Sequence, residues 1–411
     1  MRIAVVGGGA AGMMCAAAIN ELNPKIEIFL LEKNDSLGKK VIISGGGRCN
    51  VTTGFTDIKV VLSKYPRGGK FLNSAMHRFP PAAVKAWFAN HNVPLKCEAD
   101  GRLFPLSNKG EEVVKVFENI FALHKTTLLF KHTVKHIAKT AQGFRVDFAT
   151  QPSLAVDRVV LALGGQARRY TGSTGDGYSL AEQLGHHITP LAPSLNAFTT
   201  QEQWPARLTG VSLIKVKIQT DTPKYQAALG PLVFTHWGIS GPAVFALSSL
   251  MAFVDYSATK PLAVYIDLLP DLTVATMAAE LKSLVSVNPK KSFKNTLHNF
   301  VPLSVAELIC RQLSIPPEQK NAAMSKYDLH QVEQRLKHLP LNVIGRRAGD
   351  EFVTAGGVEL TEVDPRTMQS KVCAGLYLVG EILNIDGFTG GFNLQSAWAT
   401  GQTAGASLAA E

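Results

Sequence analysis

The chain is short of cysteine. Its 411 residues include five, Cys15, Cys49, Cys97, Cys310 and Cys373, with no CxxC pair and no metal-ligand spacing. A disulfide scaffold, a zinc site and a dithiol relay are thereby excluded, and so odd and scattered a set fits a reducing cytoplasm. Also lacking is an uninterrupted apolar run of membrane-spanning length; the C-terminal stretch 394–409 is broken by Gln395, Ser396, Thr400 and Gly401. An apolar strand starts at Ile3, which leaves no room for a signal peptide, so the expected location is cytoplasmic. Repeats and low-complexity tracts are absent. Acidic residues are outnumbered 32 to 42, for a net charge of +10. A basic surface attracts RNA, anionic substrates or dinucleotide phosphates. A solvated basic face is the commoner reason for such an excess, so nucleic acid ranks behind a small molecule as partner. With 46% hydrophobic residues the chain can bury sizeable cores in two or three domains.

What is present is glycine, in two segments near opposite ends. Ile3 to Val6 is a short apolar run, as in a buried parallel strand, and Gly7, Gly9 and Gly12 follow with G-x-G-x-x-G spacing. Gly7 permits the tight turn, Gly9 lets backbone approach a pyrophosphate, and Gly12 lets the next helix pack against the strand. Met13 to Leu22 reads as that helix, whose N-terminal amides favour a diphosphate. Gly7, Gly9, Ala10, Ala11 and Gly12 are therefore candidate phosphate contacts. A second strand, Lys25 to Leu31, runs into Glu32, placed to accept hydrogen bonds from both ribose hydroxyls of an adenosine. Its charge disfavours a 2′-phosphate, which leaves FAD or NAD.

Three further features select FAD. A second glycine loop, Ser44, Gly45, Gly46, Gly47, Arg48, Cys49 and Asn50, comes soon after the first and can wrap an extended ligand. In it Arg48 can neutralise phosphate and Asn50 offers donor and acceptor. The apolar run Val159 to Leu163 ends at Gly164 and Gly165, a crossing point back to the dinucleotide. Near the C-terminus a strand, Leu376 to Val379, ends at Gly380 and Glu381, and Gly390, Gly391, Phe392 and Asn393 precede an apolar helix, Leu394 to Ala409. Reduced flavin is negative on its pyrimidine side, and free amides at a helix start stabilise that charge. Lys33 and Lys40 flank the same loops and are counted with the cofactor site. No second G-x-G-x-x-G follows a strand in residues 190–345. A nicotinamide reductant, NAD(P)H, would therefore dock only transiently, or the organic substrate itself reduces the flavin.

Here the chain resembles the BaiN-like family of bacterial FAD-dependent oxidoreductases, which includes the aminoacetone oxidases. The resemblance rests on ISGGGRCN (Ile43–Asn50), GRLFP (Gly101–Pro105) with Ser107, HWGISGPAV (His236–Val244), TAGGV (Thr354–Val358), MQSK (Met368–Lys371) and GLYLVGE with DGFTGGFNLQ (Gly375–Gln395). It implies an α/β fold: a two-dinucleotide-binding-type, Rossmann-like FAD domain with an inserted β-rich domain and a small helical domain. It also implies that Gly380, Glu381, Asp386, Gly391, Phe392, Asn393 and Leu394 hold ribityl and isoalloxazine. Where many relatives carry Asp after the glycine this chain has Glu381, so either Glu381 or Asp386 meets the ribityl hydroxyls. The activities implied include amine oxidation and reduction of carbon–carbon double bonds.

Along the chain, residues 1–190 alternate strands and helices. Phe71–Met76, Ala82–His91 and Glu111–Leu123 read as helices, and Thr133–Ile137, Gly143–Phe148 and Leu154–Leu163 as strands. In such folds backbone near a residue like Val134 meets the adenine. Residues 191–272 read as a β-rich insert and 273–340 as a helical one, with helices over Val274–Val285, Ser304–Leu313, Pro317–Met324 and Leu329–Lys337. Residues 341–411 return to the FAD domain.

His236 is the candidate catalytic acid or base, in a loop shaped by Gly238, Gly241 and Pro242 beside Trp237. A loop that only packs the insert is the plainer reading. Cys49, next to Arg48, invites a redox role, but without a partner cysteine a small packed residue is preferred. Arg346 and Arg347 suit an anion or a solvated linker equally; His77, His91, His186 and His187 read as structural. The expected protein is an FAD-dependent oxidoreductase acting on a small organic substrate over the flavin, with NAD(P)H or oxygen as second partner. The alternatives are an FAD-dependent RNA-modifying or RNA-binding protein and a non-enzymatic flavin module.

Overall fold

A computed structural model describes residues 1–221, 227–347 and 349–411. The chain forms two compact units, Met1–Ser194 with Glu351–Glu411, and Leu195–Asp350.

The first unit is built on a five-stranded parallel sheet in the order 376–378, 158–161, 2–6, 27–32, 127–130. Strand Arg2–Val6 is central and carries Ile3, Ala4, Val5 and Val6 into the core, as a strand covered on both faces must. The helix Ala10–Leu22 follows the glycine turn, three residues earlier than apolar spacing suggested. The C-terminal helix, Phe392–Ala409, lies along it. A Cβ on Gly401 would come within 2.4 Å of the Ala11 carbonyl oxygen, and one on Gly405 within 2.6 Å of Ala18 Cβ. Small residues on both helices thus let the two ends of the chain meet backbone to backbone.

Several boundaries differ from the sequence reading. The run Leu154–Leu163 is two strands. Leu154–Val156 completes an antiparallel meander with 134–140 and 143–148, and Arg158–Leu161 enters the parallel sheet. Asp157 divides them, its Oδ2 accepting from the Arg2 amide at 2.6 Å. Helices form at Asn73–Arg78, Pro81–Asn90 and Gly110–Leu123, and an unanticipated one at Asp176–Gln183.

The second unit is a closed six-stranded barrel in the order 198–200, 238–240, 228–235, 212–220, 262–267, 339–346. Strand Leu339–Arg346 pairs with both 262–267 and 198–200, so the chain is still in the barrel past residue 341, where the sequence reading returned it to the FAD domain. The helical stretch lies within the barrel's own sequence and shares its core: Met277, Leu281, Val332 and Leu336 cluster with Val264, Ile266 and Leu341. The expected helix Pro317–Met324 is only a short turn at Asn321–Ala323. Lys320 bridges to Ser292, and Asn321 donates to the Asn288 carbonyl and the Thr296 hydroxyl, which hold this segment extended.

Candidate functional site

The first glycine loop sorts its glycines by role. A Cβ on Gly7, whose φ is +112°, would sit 2.5 Å from the Ala162 carbonyl oxygen; one on Gly12 would sit 2.0 Å from the Gly7 carbonyl oxygen. Those two positions are closed by neighbouring backbone. Around Gly9 no atom lies within 4 Å of the equivalent point. Gly9 also caps the helix without a side-chain partner, so the first-turn amides of Ala10, Ala11 and Gly12 have no intrahelical acceptor. An opening lined by backbone donors at a helix N-terminus suits a diphosphate. Glu32, at the end of its strand, braces the loop: Oε2 accepts from the Gly8 amide at 2.9 Å, and Oε1 accepts from the Asn34 amide and side chain at 2.8 Å. Further lone pairs remain for ribose hydroxyls. Lys33 turns instead to Asp176, at 2.7 Å, and to the Thr174 hydroxyl.

The second loop follows a short helix, Lys39–Ile43. Gly46 again has open space around it. Ser44 Oγ donates to the Val41 carbonyl at 2.8 Å. A Cβ on Gly45 would meet Phe104 at 2.8 Å, so Gly45 packs rather than opens. Arg48 is not free for phosphate: it donates to Glu98 at 2.6 Å and lies over the Phe104 ring at 3.9 Å. Cys49 is fully buried, and burial pushes its thiol up to about 12, which removes the thiolate a redox role needs. Asn50, with its amide oriented to satisfy both neighbours, accepts from the Gly391 amide at 2.9 Å and donates to the Thr52 carbonyl at 3.1 Å. It joins the two glycine-rich ends.

The C-terminal segment arrives beside them. Glu381 accepts from Lys40 Nζ at 2.8 Å and from the Thr354 amide at 2.9 Å, and Gly165 packs against Thr354. Gly164 takes a left-handed turn with Ser173 its nearest neighbour. Gly380 packs on Ala11, where a Cβ would meet Cβ at 2.7 Å. Burial and the Glu381 carboxylate both raise the pKa of Tyr178. Asp386 is different: its side chain is 0% exposed, paired with Arg67 and accepting from Ser194 Oγ at 2.7 Å, whereas Glu381 is 19% exposed. The Asp386 carboxylate is thus enclosed by Arg67 and Ser194 as an internal clamp, and of the two acids Glu381 keeps the more exposed carboxylate. Val134 is likewise buried, at the start of the meander and paired with Phe148.

The C-terminal helix begins at Phe392 after Gly391 in left-handed conformation. The Phe392 carbonyl accepts from Tyr65 Oη at 2.6 Å, and the Asn393 side chain exchanges two 2.8 Å bonds with Gly387. The amides of Phe392, Asn393 and Leu394 donate to no group among the described residues. Sequence reasoning missed the Lys40–Glu381 pair, the Thr354 amide and the Gly8 amide. Lysine-to-glutamate contacts 341 residues apart leave no local signal.

His236 lies in the second unit, exposed in the turn between strands 228–235 and 238–240, its ring edge-on to Trp237 at 4.2 Å. The Arg347 guanidinium covers Trp237 at 4.5 Å. Arg346 is no linker residue: Nη2 donates to the Met251 and Ala252 carbonyls at 2.7 and 3.0 Å, at the end of helix Pro242–Leu250, and burial lowers its pKa. Among the described residues no cluster suits a metal ion, and no helix is long and apolar enough to cross a membrane.

Fold and site together define an FAD-type oxidoreductase built on a Rossmann-type domain. The chain belongs to the HI0933-like family: the HI0933-like protein Rossmann domain matches residues 1–407. It is similar to the 3-dehydro-bile acid delta(4,6)-reductase of Clostridium scindens, 30% identical over 99% of each chain. It is also similar to the ribosomal RNA dihydrouridine synthase of Escherichia coli, 28% identical over 96% of this chain and 95% of that one. Among solved structures, a 3-ketosteroid-delta4-(5alpha)-dehydrogenase from Rhodococcus jostii shares the fold, with a TM-score of 0.52 at 12% identity over 99% of this chain and 96% of that one. The resemblance read from the glycine motifs is thus borne out.

Proposed function

We propose that this protein uses FAD to reduce a carbon–carbon double bond conjugated to a carbonyl in a small organic substrate, with NAD(P)H as the source of electrons. The observation that carries the reading is the set of unpartnered amides at Phe392, Asn393 and Leu394, tied through Gly391 and Asn50 to the loop after Lys39–Ile43. Donors fixed at a helix start favour negative charge, which is what a flavin acquires on reduction. The two named relatives add chemical direction, since each name describes reduction of a ring double bond.

When bound and reduced by NAD(P)H, FAD would supply the hydride. The chain's own residues do the rest. Amides of Ala10, Ala11 and Gly12 and the openings at Gly9 and Gly46 hold the diphosphate. Glu32 takes ribose hydroxyls, and Glu381, held by Lys40, meets the ribityl chain. In the overall change the substrate carbon remote from the carbonyl gains the hydride and the carbon beside it gains a proton. His236 is proposed as proton donor on chemical grounds. The test is anaerobic mixing with NADH and, separately, NADPH. Rapid loss of flavin absorbance supports the reading. Flavin that stays oxidised with both would redirect it to an oxidase reduced by its own organic substrate.

A second reading takes uracil in ribosomal RNA as the substrate. The +10 net charge favours it, together with the name of the Escherichia coli relative. It predicts steeply salt-sensitive RNA binding and flavin reoxidation by RNA. Weak binding of any polyanion, without reoxidation, sinks it.

A further inference from the structure

In the first unit the loop between strand Arg158–Leu161 and helix Asp176–Gln183 is held on a fixed frame. Its ends close on each other: the Gly165 carbonyl accepts from Ser173 Oγ at 2.9 Å and from the Gly175 amide at 3.1 Å. It is also pinned to both acids of the cofactor site. On one side the Gln166 amide donates to Thr354 Oγ1 at 2.8 Å, and the Thr354 amide donates to Glu381. On the other the Thr171 carbonyl accepts from the Asn34 side chain at 3.1 Å, and that side chain also donates to Glu32. A Cβ on Gly172 would lie 2.5 Å from Asn34 Nδ2, so the loop rests directly on that residue.

Between these pins Ala167 and Thr171 are buried, and Arg168, left-handed at φ +59°, starts a tight turn over Arg169–Thr171. The turn presents Arg169 and Tyr170 to solvent. Tyr170 is 72% exposed and meets no other ring among the described residues. Arg169 donates to the Gln166 side-chain oxygen at 3.1 Å and has no carboxylate partner among the described residues. Its neighbours are otherwise engaged: Lys33 pairs with Asp176 at 2.7 Å, Lys40 with Glu381 at 2.8 Å, and Arg168 covers the Phe352 ring at 4.8 Å. A guanidinium fork matches phosphate, and an exposed aromatic face stacks on a base. Side by side on a pinned loop, the two suit a nucleotide that carries a phosphate near its base.

We propose that Arg169 and Tyr170 dock the 2′-phosphoadenosine end of NADPH, the guanidinium paired with the 2′-phosphate and the adenine stacked on the Tyr170 ring. Glu32 disfavours a 2′-phosphate in the cofactor site, and no second G-x-G-x-x-G follows a strand in residues 190–345, so a phosphorylated reductant needs a cation elsewhere. The inference rests on the reading of the protein as a nicotinamide-reduced flavoenzyme, and it narrows the donor to the phosphorylated nucleotide.

Two measurements on the flavin-loaded protein keep the site and the electron donor apart. The first is calorimetric titration with 2′,5′-ADP, which carries the 2′-phosphate and no nicotinamide, against 5′-AMP. Saturable one-to-one binding of 2′,5′-ADP is expected, weaker by about tenfold or more in Arg169→Ala and weaker also in Tyr170→Ala. 5′-AMP should bind the wild type less tightly than 2′,5′-ADP and should not distinguish wild type from Arg169→Ala. Both substitutions fall on exposed side chains, so the variants should fold. The second is anaerobic flavin reduction, which should half-saturate at a lower concentration of NADPH than of NADH, a preference that Arg169→Ala removes. Absence of saturable 2′,5′-ADP binding overturns the proposal, as does equal affinity in wild type and Arg169→Ala, or equal affinity for the two nucleotides. Binding of 2′,5′-ADP that depends on Arg169, in protein whose flavin neither NADPH nor NADH reduces, leaves the site standing and faults the nicotinamide reading.

Discussion

The side chain of Asn50 and the amide of Gly391 meet at 2.9 Å, and through that bond the loop nearest the N-terminal motif fixes the start of the C-terminal helix. The contact uses an amide at the helix cap and leaves those of Phe392, Asn393 and Leu394 free. Asn50→Ala removes an acceptor from a partly buried donor, at a cost of about 1–3 kcal/mol. Part of this falls on the cofactor site, so flavin affinity should drop by roughly tenfold, read by fluorescence titration of the apoprotein. Asn50→Asp keeps the acceptor but adds negative charge. It should retain flavin better than the alanine variant and lower the flavin reduction potential, read by dye-equilibrated photoreduction. Equal potentials in Asn50→Asp and wild type would detach Asn50 from the flavin's surroundings.

Glycines of the first loop make a sharper pair. Around Gly9 there is open space, so Gly9→Val can fold while filling the opening meant for the diphosphate. Gly12→Val cannot: its Cβ would lie 2.0 Å from the Gly7 carbonyl oxygen. Gly9→Val should give soluble protein with native circular dichroism and no flavin, whereas Gly12→Val should give little soluble protein. Glu32→Ala should fold and hold FAD more weakly, since the carboxylate both braces Gly8 and faces the ribose position. Stoichiometric flavin in purified Gly9→Val would falsify the N-terminal placement.

Much of this was legible in the sequence for a physical reason. G-x-G-x-x-G, a preceding apolar strand and an acid at its partner's end are local requirements of one turn, and they appear as local pattern. The same holds for Gly391 before the C-terminal helix. Asp386 entered the site through the resemblance alone, and only Arg67, 319 residues away, and Ser194 show its carboxylate enclosed. The Arg48 pairing was equally illegible, since its partner Glu98 lies 50 residues on, in the loop after the strand Leu95–Cys97. The barrel escaped because its closing strand, Leu339–Arg346, comes after a run of helices, and only long-range pairing with Leu262–Asp267 and Phe198–Thr200 reveals it.

The Arg67–Asp386 pair should matter more for stability than for chemistry. A buried carboxylate stripped of its cation is costly, about 3–5 kcal/mol for removal of one partner. Arg67→Met should lower the melting temperature substantially, and Asp386→Asn should do so less, since the amide can still accept from Ser194. The double variant Arg67→Met with Asp386→Leu should recover part of the loss. Thermal unfolding of the flavin-loaded proteins measures all three, and an unchanged melting point in Arg67→Met would show that the pair contributes nothing net.

A histidine network in the first unit gives the protein a pH dependence of its own. His186 is buried, its Nδ1 2.9 Å from Glu362 and its Nε2 2.8 Å from Ser370 Oγ. Desolvation lowers its pKa from the ordinary 6.5, against the pull of Glu362, so the folded protein holds the ring neutral where the unfolded chain would protonate it. The unfolded state therefore binds more protons as pH falls below 6.5, and stability declines in that direction. Glu362, whose pKa desolvation pushes up but the combined bonds from His187 and His186 bring down on balance, adds a loss in the same direction as pH falls below its ordinary 4.5. His187 acts with opposite sign: Glu362 raises its pKa, so its stabilisation is complete below 6.5 and fades above. Because His187 is exposed, solvent screening keeps its share small. Wild type should thus lose melting temperature between pH 7 and pH 5, and His186→Asn, though less stable at pH 7, should show a flatter profile over that interval. A variant whose profile runs parallel to wild type would assign the acid sensitivity to other groups.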